Sequence, residues 1–261
     1  KSSALHLRLH LPHTAMAVSA RVAKWRDKYG AKCDKMMASI LGLYIGDAAA
    51  VPVHWYYTPG TIERDYGDPL SSFVDPVHPH PDAFAWSMSF SPKEGSNVDI
   101  LHARGRLCNG GKGDVKPAPE DNPHYHFGLK AGDNTLNARL VRVLVRTIAG
   151  LDKPAGDASK DGLPDDASVD PEHFAHPDIP EDPPPALVSY TGDRWLASMS
   201  RFMLDPNSHD DFYLEVYLRR FFERRSHGVP LAKCAVSQKA NWSVGSMGGL
   251  LSPLAYAAAM E

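Results

Sequence analysis

The chain has 261 residues, of which 43% are hydrophobic and 23% are charged. These values are ordinary for a folded globular protein, and the length suits one large domain. Its 28 basic and 31 acidic residues give a formal charge of −3, which argues against the strongly basic surface that nucleic-acid binding requires.

The N-terminus and the cysteines bear on the compartment. Residues 1–24 contain four basic residues and no acidic one, a pattern that loosely matches an organelle-targeting leader. We therefore expect residues 1–30 to be a leader or a disordered N-terminus, and residues 31–261 to form a single domain. Cys33, Cys108 and Cys234 are far apart and form no CxxC pair, so neither a disulfide framework nor a cysteine zinc site is expected. This favours a reducing compartment, and we predict the cytoplasm, with organelle targeting as the alternative.

Helical periodicity predicts four helices, at about 36–51, 135–149, 193–204 and 211–225. The first is apolar, but Asp47 and Pro52 interrupt it, and a charge in mid-span is costly in lipid. We therefore expect a buried helix of a soluble protein that does not insert into a membrane. Strand-like alternation is scarce, so the predicted fold class is all-α.

Asp47 is a carboxylate among small and apolar side chains, where an unpaired charge would be costly. It must therefore have a partner. His54 follows seven residues later and would lie on the same face if the helix continued through a kink at Pro52. Two interpretations stay open: the two residues belong to one site, or Asp47 bonds nearby backbone and His54 packs beside Trp55.

The stretch 58–123 is rich in loops, with little periodicity. His78 and His80, and then His124 and His126, form closely spaced pairs, but neither pair has a third ligand at a recognisable offset. A zinc site is therefore not expected, and we predict surface loop histidines.

Asp133, Asn134 and Thr135 stand directly before the second predicted helix. Asp133 or Asn134 could cap that helix by accepting its unpaired backbone N–H groups. Alternatively, the oxygen atoms of all three could bind magnesium or manganese. The helix itself has an apolar stripe of Leu136, Leu140, Val143, Leu144 and Ile148, with Arg139, Arg142 and Arg146 facing elsewhere.

Two further segments have local signals. Residues 151–187 are acidic and proline-rich, which predicts a mobile surface insertion. Ser208 and Asp211 fit the capping box of a helix beginning near residue 211.

Several of these segments, taken in order, resemble one family. They are "GLYIGDAAAVPVHWYY" (42–57), "HYHFGLKAGDNTLNARL" (124–140), "SHDDFYLEVYLRRFFERRSHGVPLAKCA" (208–235) and "SMGGLLSPLAYA" (246–257). Together they resemble the ADP-ribosylglycohydrolase family, in particular its branch with selenoprotein J and the lens J-crystallins. The resemblance implies an all-α, multi-helix orthogonal bundle.

The resemblance also implies a site. The family's second motif, Thr-Asp-Asp-Thr, binds divalent cations together with a glutamate of the first helix. The matching positions here are Gly132, Asp133, Asn134 and Thr135, with His54 in place of the glutamate. The resemblance thus implies Mg²⁺ or Mn²⁺ at Asp133, Asn134 and Thr135, although three ligand positions have changed and the amide lowers the ligand charge. It implies catalytic roles for His54 and Asp133, and substrate contacts from Asp47, Ser246, Gly248 and Gly249.

The activity implied is hydrolysis of the glycosidic bond that joins ADP-ribose to a small molecule or to a protein side chain. The alternative is a non-catalytic, crystallin-like relative that is structural or binds a ligand. Because the family's last metal motif would lie beyond Glu261, we expect the domain in this chain to be incomplete.

Overall fold

The described part of the chain is helical. The computed structural model describes residues 23, 26–28, 30–67, 72–82, 90–102, 123–149 and 191–237. Five α-helices in these ranges have defined bounds: α1 (Ala31–Ala50), α2 (Pro59–Tyr66), α3 (Leu136–Ile148), α4 (Gly192–Leu204) and α5 (Val216–Ser226). Residues 23 and 26–28, before α1, are also helical. Short 3₁₀ turns follow α1 at Val51–Val53 and α5 at Leu231–Lys233. None of the described residues lies in a β-strand, which agrees with the predicted all-α class.

Three of the four predicted helices are confirmed as α1, α3 and α4, with their ends moved by a few residues. The fourth, α5, begins at Val216 and not near residue 211. The helix α2 was missed, because it is only eight residues long and lies in a stretch with little periodicity. Pro59 stands at its start, where its missing N–H costs no hydrogen bond.

The central helix is α3, which is buried on more than one side. The predicted apolar stripe is confirmed, since all five of its residues are buried. Leu136, Leu140 and Val143 join a core with side chains of α4 and α5. On another face of α3, Val141 packs in a second cluster with Leu43 of α1. Arg146 was expected to face away from the core, but it is buried.

Helix α1 was expected to be buried, and this is wrong for the side chains that the structure describes. Among the described side chains of α1, only Ala48 is buried, whereas Leu41 and Ile45 are more than half exposed. Asp34–Val53, with a mean hydropathy of 1.6, is long and apolar enough to cross a membrane, and 17% of it is buried. Only the length and composition of the helix suggest that it could cross a membrane, and core helices of soluble proteins can be equally long and apolar.

A close approach of two backbones holds the segment 123–130 in place. A Cβ atom on Gly128 would collide with the Asp210 carbonyl oxygen and with the ring of Phe212. Only glycine allows this distance, so residue 128 fixes how the histidine-containing segment sits against residues 210–212.

Some predictions lie outside the described residues. They concern residues 1–22, the insertion 151–187, and the segment 246–257 with Ser246, Gly248 and Gly249.

Gly128→Ala is expected to destabilise the protein by about 1–3 kcal/mol, the usual cost of overpacking a tight contact. Denaturant unfolding would measure the change. The matched control is Gly42→Ala in α1, where a Cβ atom would meet nothing within 4 Å. That change should stabilise the helix by about 0.5–1 kcal/mol. Equal stability of the two variants would contradict the close approach.

Candidate functional site

Asp47 joins α1 to the segment before α3. Its Oδ1 accepts a hydrogen bond from Thr135 Oγ1 at 2.6 Å. Its Oδ2 accepts bonds from the Thr135 backbone N–H at 2.7 Å and from Asn134 Nδ2 at 3.0 Å. The expectation that Asp47 has a partner is therefore confirmed, and its partners are distant in sequence.

The cap of α3 lies one residue later than expected. Thr135, and neither Asp133 nor Asn134, is the N-cap, and its side chain accepts a bond from the Ala138 N–H. Asn134 Nδ2 faces the Asp47 carboxylate and the Tyr44 carbonyl oxygen. The Asp133 carboxylate instead accepts a bond from the backbone N–H of Lys130 at 2.9 Å.

A second carboxylate, that of Asp211, also reaches the N-terminus of α3. Asp211 is fully buried. Its Oδ2 accepts the Leu136 N–H at 2.7 Å, and its Oδ1 accepts the Tyr213 N–H at 3.1 Å. The predicted capping box with Ser208 is wrong, since α5 begins at Val216 with Glu215 as its N-cap. Asp211 therefore caps a helix 75 residues earlier.

Asp211 also contacts a histidine. Its Oδ1 lies 2.8 Å from His126 Nδ1. Burial by itself would raise the pKa of Asp211, but the charge of His126 and the hydrogen bonds that Asp211 accepts outweigh burial and lower it. Asp211 is therefore a carboxylate at neutral pH.

The next residue in this line is His54, whose Nδ1 lies 2.6 Å from His126 Nε2. Helix α1 ends at Ala50, and the 3₁₀ turn with Pro52 carries the chain to His54. Burial, and then the nearby His126, lowers the pKa of His54 to about 2. His54 is therefore neutral at physiological pH.

The other histidines support this pair. His80, His124 and His126 are almost completely buried, so the prediction that they are surface residues is wrong for these three. His124 Nε2 donates to the Pro52 carbonyl at 3.0 Å, and His124 Nδ1 accepts the His126 N–H. His80 Nε2 donates to the His54 carbonyl. These ring nitrogens thus form the hydrogen bonds that the buried backbone groups would otherwise make with water.

Trp55 is held in an unusual backbone conformation beside the site. Its φ of 65° lies in the left-handed region, which costs a bulky residue about 1–3 kcal/mol. Its ring stacks on Tyr125 with centroids 5.3 Å apart, and Tyr213 meets Tyr125 edge to face. Packing of these rings keeps Trp55 in place, and such strain is typical of functional sites.

These groups surround one cavity of about 430 Å³. Its walls come from the end of α1 and the turn after it, the start of α3, and the segment before α5. The lining residues are Asp47, Ala50, Val51, Val53, His54, Trp55, His126, Thr135, Asn137, Asp211, Tyr213 and Glu215. Asp47, His54 and Thr135 therefore share one cavity, whereas Asp133 is not among its lining residues.

The predicted metal ligands do not form one cage in this arrangement. Asp133 is turned to Lys130, Asn134 presents its amide N–H₂ to Asp47, and the Thr135 hydroxyl donates to Asp47. A hard cation needs several oxygen atoms that converge on one point. Among the residues that the structure describes, no three His, Cys, Asp or Glu side chains are grouped to hold a metal.

Sequence reasoning missed His126, Asp211, Tyr213 and Glu215 as members of the site. For His126, one sequence signal was available: the alternation "HYH" at 124–126, because two histidines that flank a tyrosine in a compact loop can form buried hydrogen bonds. Nothing local shows that Asp211 faces His126, which lies 85 residues earlier.

Comparisons with known proteins identify no relative: no protein-family model, no curated protein and no solved structure matches this chain. The resemblance described above depends on the motifs alone and stays a prediction.

Asp47→Ala is expected to destabilise the protein by about 1–3 kcal/mol, because three donors at the start of α3 lose their acceptor. Thermal or denaturant unfolding would measure this. Asp133→Ala is the control, since that carboxylate accepts one described hydrogen bond, from Lys130. A larger loss from Asp133→Ala than from Asp47→Ala would contradict the assignment of Asp47 as the residue that joins α1 to α3.

Acid should unfold the protein through its buried histidines. Burial, followed by the neighbouring His126, lowers the pKa of His124 from 6.5 to about 3. The unfolded chain binds a proton below about pH 6.5, but the folded chain does not, so stability falls as the pH decreases from 6.5 towards 3. Each such histidine contributes a slope of up to about 1.4 kcal/mol per pH unit.

Denaturant unfolding at several pH values would measure this slope. His124→Gln should make it shallower by about one proton. His227→Gln, at the exposed end of α5, should leave it unchanged. A wild-type stability that is constant between pH 6.5 and 4 would show that the histidines are not held neutral.

Proposed function

We propose that this protein is a hydrolase that cleaves the glycosidic bond of an ADP-ribosyl group, the activity that its family resemblance implies. The supporting observation is that two separate motifs of the resemblance meet at one cavity: Asp47 and His54 from the first, and Thr135 from the second, line it together. The helical class of the described residues agrees with the orthogonal bundle that this proposal requires. The substrate would be an ADP-ribosylated protein or an ADP-ribose-containing small molecule.

The lining residues can be assigned roles in this reaction. His54 is neutral and its Nδ1 is engaged by His126, so its Nε2 is the nitrogen that can accept a proton from water. Glu215 Oε1 accepts a bond from Asn137 Nδ2 at 3.0 Å, and this pair offers polar atoms to ribose hydroxyls. Trp55 and Tyr213 supply ring surfaces against which a sugar or a base can pack.

The water that His54 activates would attack the anomeric carbon, and the bond to the leaving group would break as the ribosyl carbon gains positive character. The Asp47, Asp211 and Glu215 carboxylates border the cavity, and negative charge stabilises such a transition state. A bound Mg²⁺ or Mn²⁺ would add further stabilisation of charge. Because Asp133 accepts from Lys130 while Asn134 and Thr135 donate to Asp47, the three side chains do not converge on one point, and no step here depends on the ion.

A second candidate function is a non-catalytic, ligand-binding or structural relative. The observation that favours it is that the carboxylates of Asp47 and Asp211 are both used to cap α3. Carboxylates engaged in this way stabilise the fold without any chemistry. This protein would then retain the cavity for binding alone.

Release of ADP-ribose from wild-type protein incubated with ADP-ribosylated peptides and with small ADP-ribosides is the direct test. His54→Gln should lower kcat by about 10²- to 10⁴-fold, the usual contribution of a general base. His227→Gln, on the exposed surface, is the matched control and should retain activity.

Calorimetric titration with ADP-ribose, with and without Mg²⁺, separates the two candidates. Binding without turnover of any substrate supports the non-catalytic relative, and absence of both binding and turnover contradicts the proposal. Metal-dependent binding that Asp133→Ala abolishes would restore Asp133 as a ligand.

A further inference from the structure

Two buried side chains and one partly buried side chain form a continuous hydrogen-bonded line that ends at the cavity. Asp211 Oδ1 lies 2.8 Å from His126 Nδ1, and His126 Nε2 lies 2.6 Å from His54 Nδ1. Asp211 and His126 are each at most 2% exposed, so water does not separate the groups. The rings of His126 and His54 stack, with centroids 4.7 Å apart and planes inclined by 21°.

The positions of the protons follow from these partners. A carboxylate can only accept, so His126 Nδ1 carries a proton and donates to Asp211. When His126 is neutral, its Nε2 has no proton and must accept, and His54 Nδ1 is then the donor. His54 Nε2 is left without a proton, and no described residue occupies it. This is the nitrogen that can accept a proton in the cavity.

We propose that Asp211 and His126 are a proton relay behind His54, so that a proton taken up at His54 Nε2 releases the Nδ1 proton to His126 Nε2. This inference rests on the proposed hydrolysis. In this step water loses a proton to His54 Nε2, and its oxygen forms the new bond to the anomeric carbon as the bond to the leaving group breaks. His54 loses its other proton to His126 and stays neutral, and His126 becomes an imidazolium beside the Asp211 carboxylate. The proton returns along the same line to the leaving group.

The relay explains how a histidine with a strongly lowered pKa can act as a base. Burial lowers the pKa of His54 to about 2, so a cation on His54 itself is strongly disfavoured. His126 is also buried, but it faces a carboxylate whose own pKa is lowered. Asp211 Oδ1 lies 2.8 Å from His126 Nδ1, so a proton passed to His126 is placed directly beside a negative charge.

The surroundings hold the relay in one orientation. His124 Nδ1 accepts the His126 N–H, and His80 Nε2 donates to the His54 carbonyl, so each of the two relay histidines is held by its backbone. Asp211 is held by the N–H groups of Leu136 and Tyr213. The titratable groups that surround His54 and His126 are His80, His124, Tyr125, Asp211 and Tyr213.

His126→Gln tests the relay, because glutamine can hydrogen-bond to both neighbours but cannot accept one proton while holding another. We expect kcat to fall by about 10²-fold or more while KM changes little, and the acidic limb of the pH profile of kcat to change. His227→Gln, at the exposed end of α5, is the matched control and should retain both kcat and the wild-type pH profile. A His126→Gln variant with wild-type kcat and pH profile would overturn the relay.

A second measurement does not depend on activity or on substitutions. Imidazole ¹⁵N spectra of the wild-type protein should show His54 protonated at Nδ1, His126 protonated at Nδ1, and coupling between His54 Nδ1 and His126 Nε2. A His54 proton on Nε2 would overturn the relay, whatever the protein hydrolyses. If the spectra show the expected protons but no ADP-riboside is turned over, the arrangement stands and the proposed substrate is wrong.

Discussion

The fold depends on how the N-terminus of α3 is satisfied. The first N–H groups of a helix have no partner within it, and burying them without one is costly. Here Asp47 accepts the Thr135 N–H and Asp211 accepts the Leu136 N–H. The two carboxylates come from α1 and from the segment before α5. A single helix end therefore holds together three distant parts of the chain, and the favourable interaction of negative charge with the helix dipole adds to the hydrogen bonds.

The two carboxylates of this interaction also line the cavity. Asp211 uses one oxygen for α3 and the other for His126, so the residue that completes the helix also orients an imidazole. Burial lowers the pKa of His54, His80 and His124 and keeps them neutral at pH 7. The backbone partners of His80 and His124 define which of their ring nitrogens carries the proton. A buried polar network of this kind is stable only when its members are satisfied. One side chain therefore both caps α3 and orients a buried imidazole.

Helix α1 shows a different balance. Asp47 connects it by three hydrogen bonds to Asn134 and Thr135, while Leu41 and Ile45 are more than half exposed. The residues that follow α1 nevertheless have a defined geometry. The 3₁₀ turn places the Pro52 carbonyl against His124 and the His54 ring against His126. Packing against Tyr125 holds Trp55 at positive φ. Hydrogen bonds and ring packing, more than burial of apolar side chains, position the C-terminal end of this helix.

The sequence by itself determined the helical class, three helices close to their observed limits, the buried stripe of α3, and the need of Asp47 for a partner. These features depend on local periodicity and on the cost of an unpaired charge, both of which can be recognised within one segment. Only the tertiary structure decided that His126 is buried, that Asp211 faces it, and that the partners of Asp47 are Asn134 and Thr135. Those outcomes depend on hydrogen bonds between groups up to 88 residues apart, and local residue patterns carry no information about which distant donor meets which acceptor.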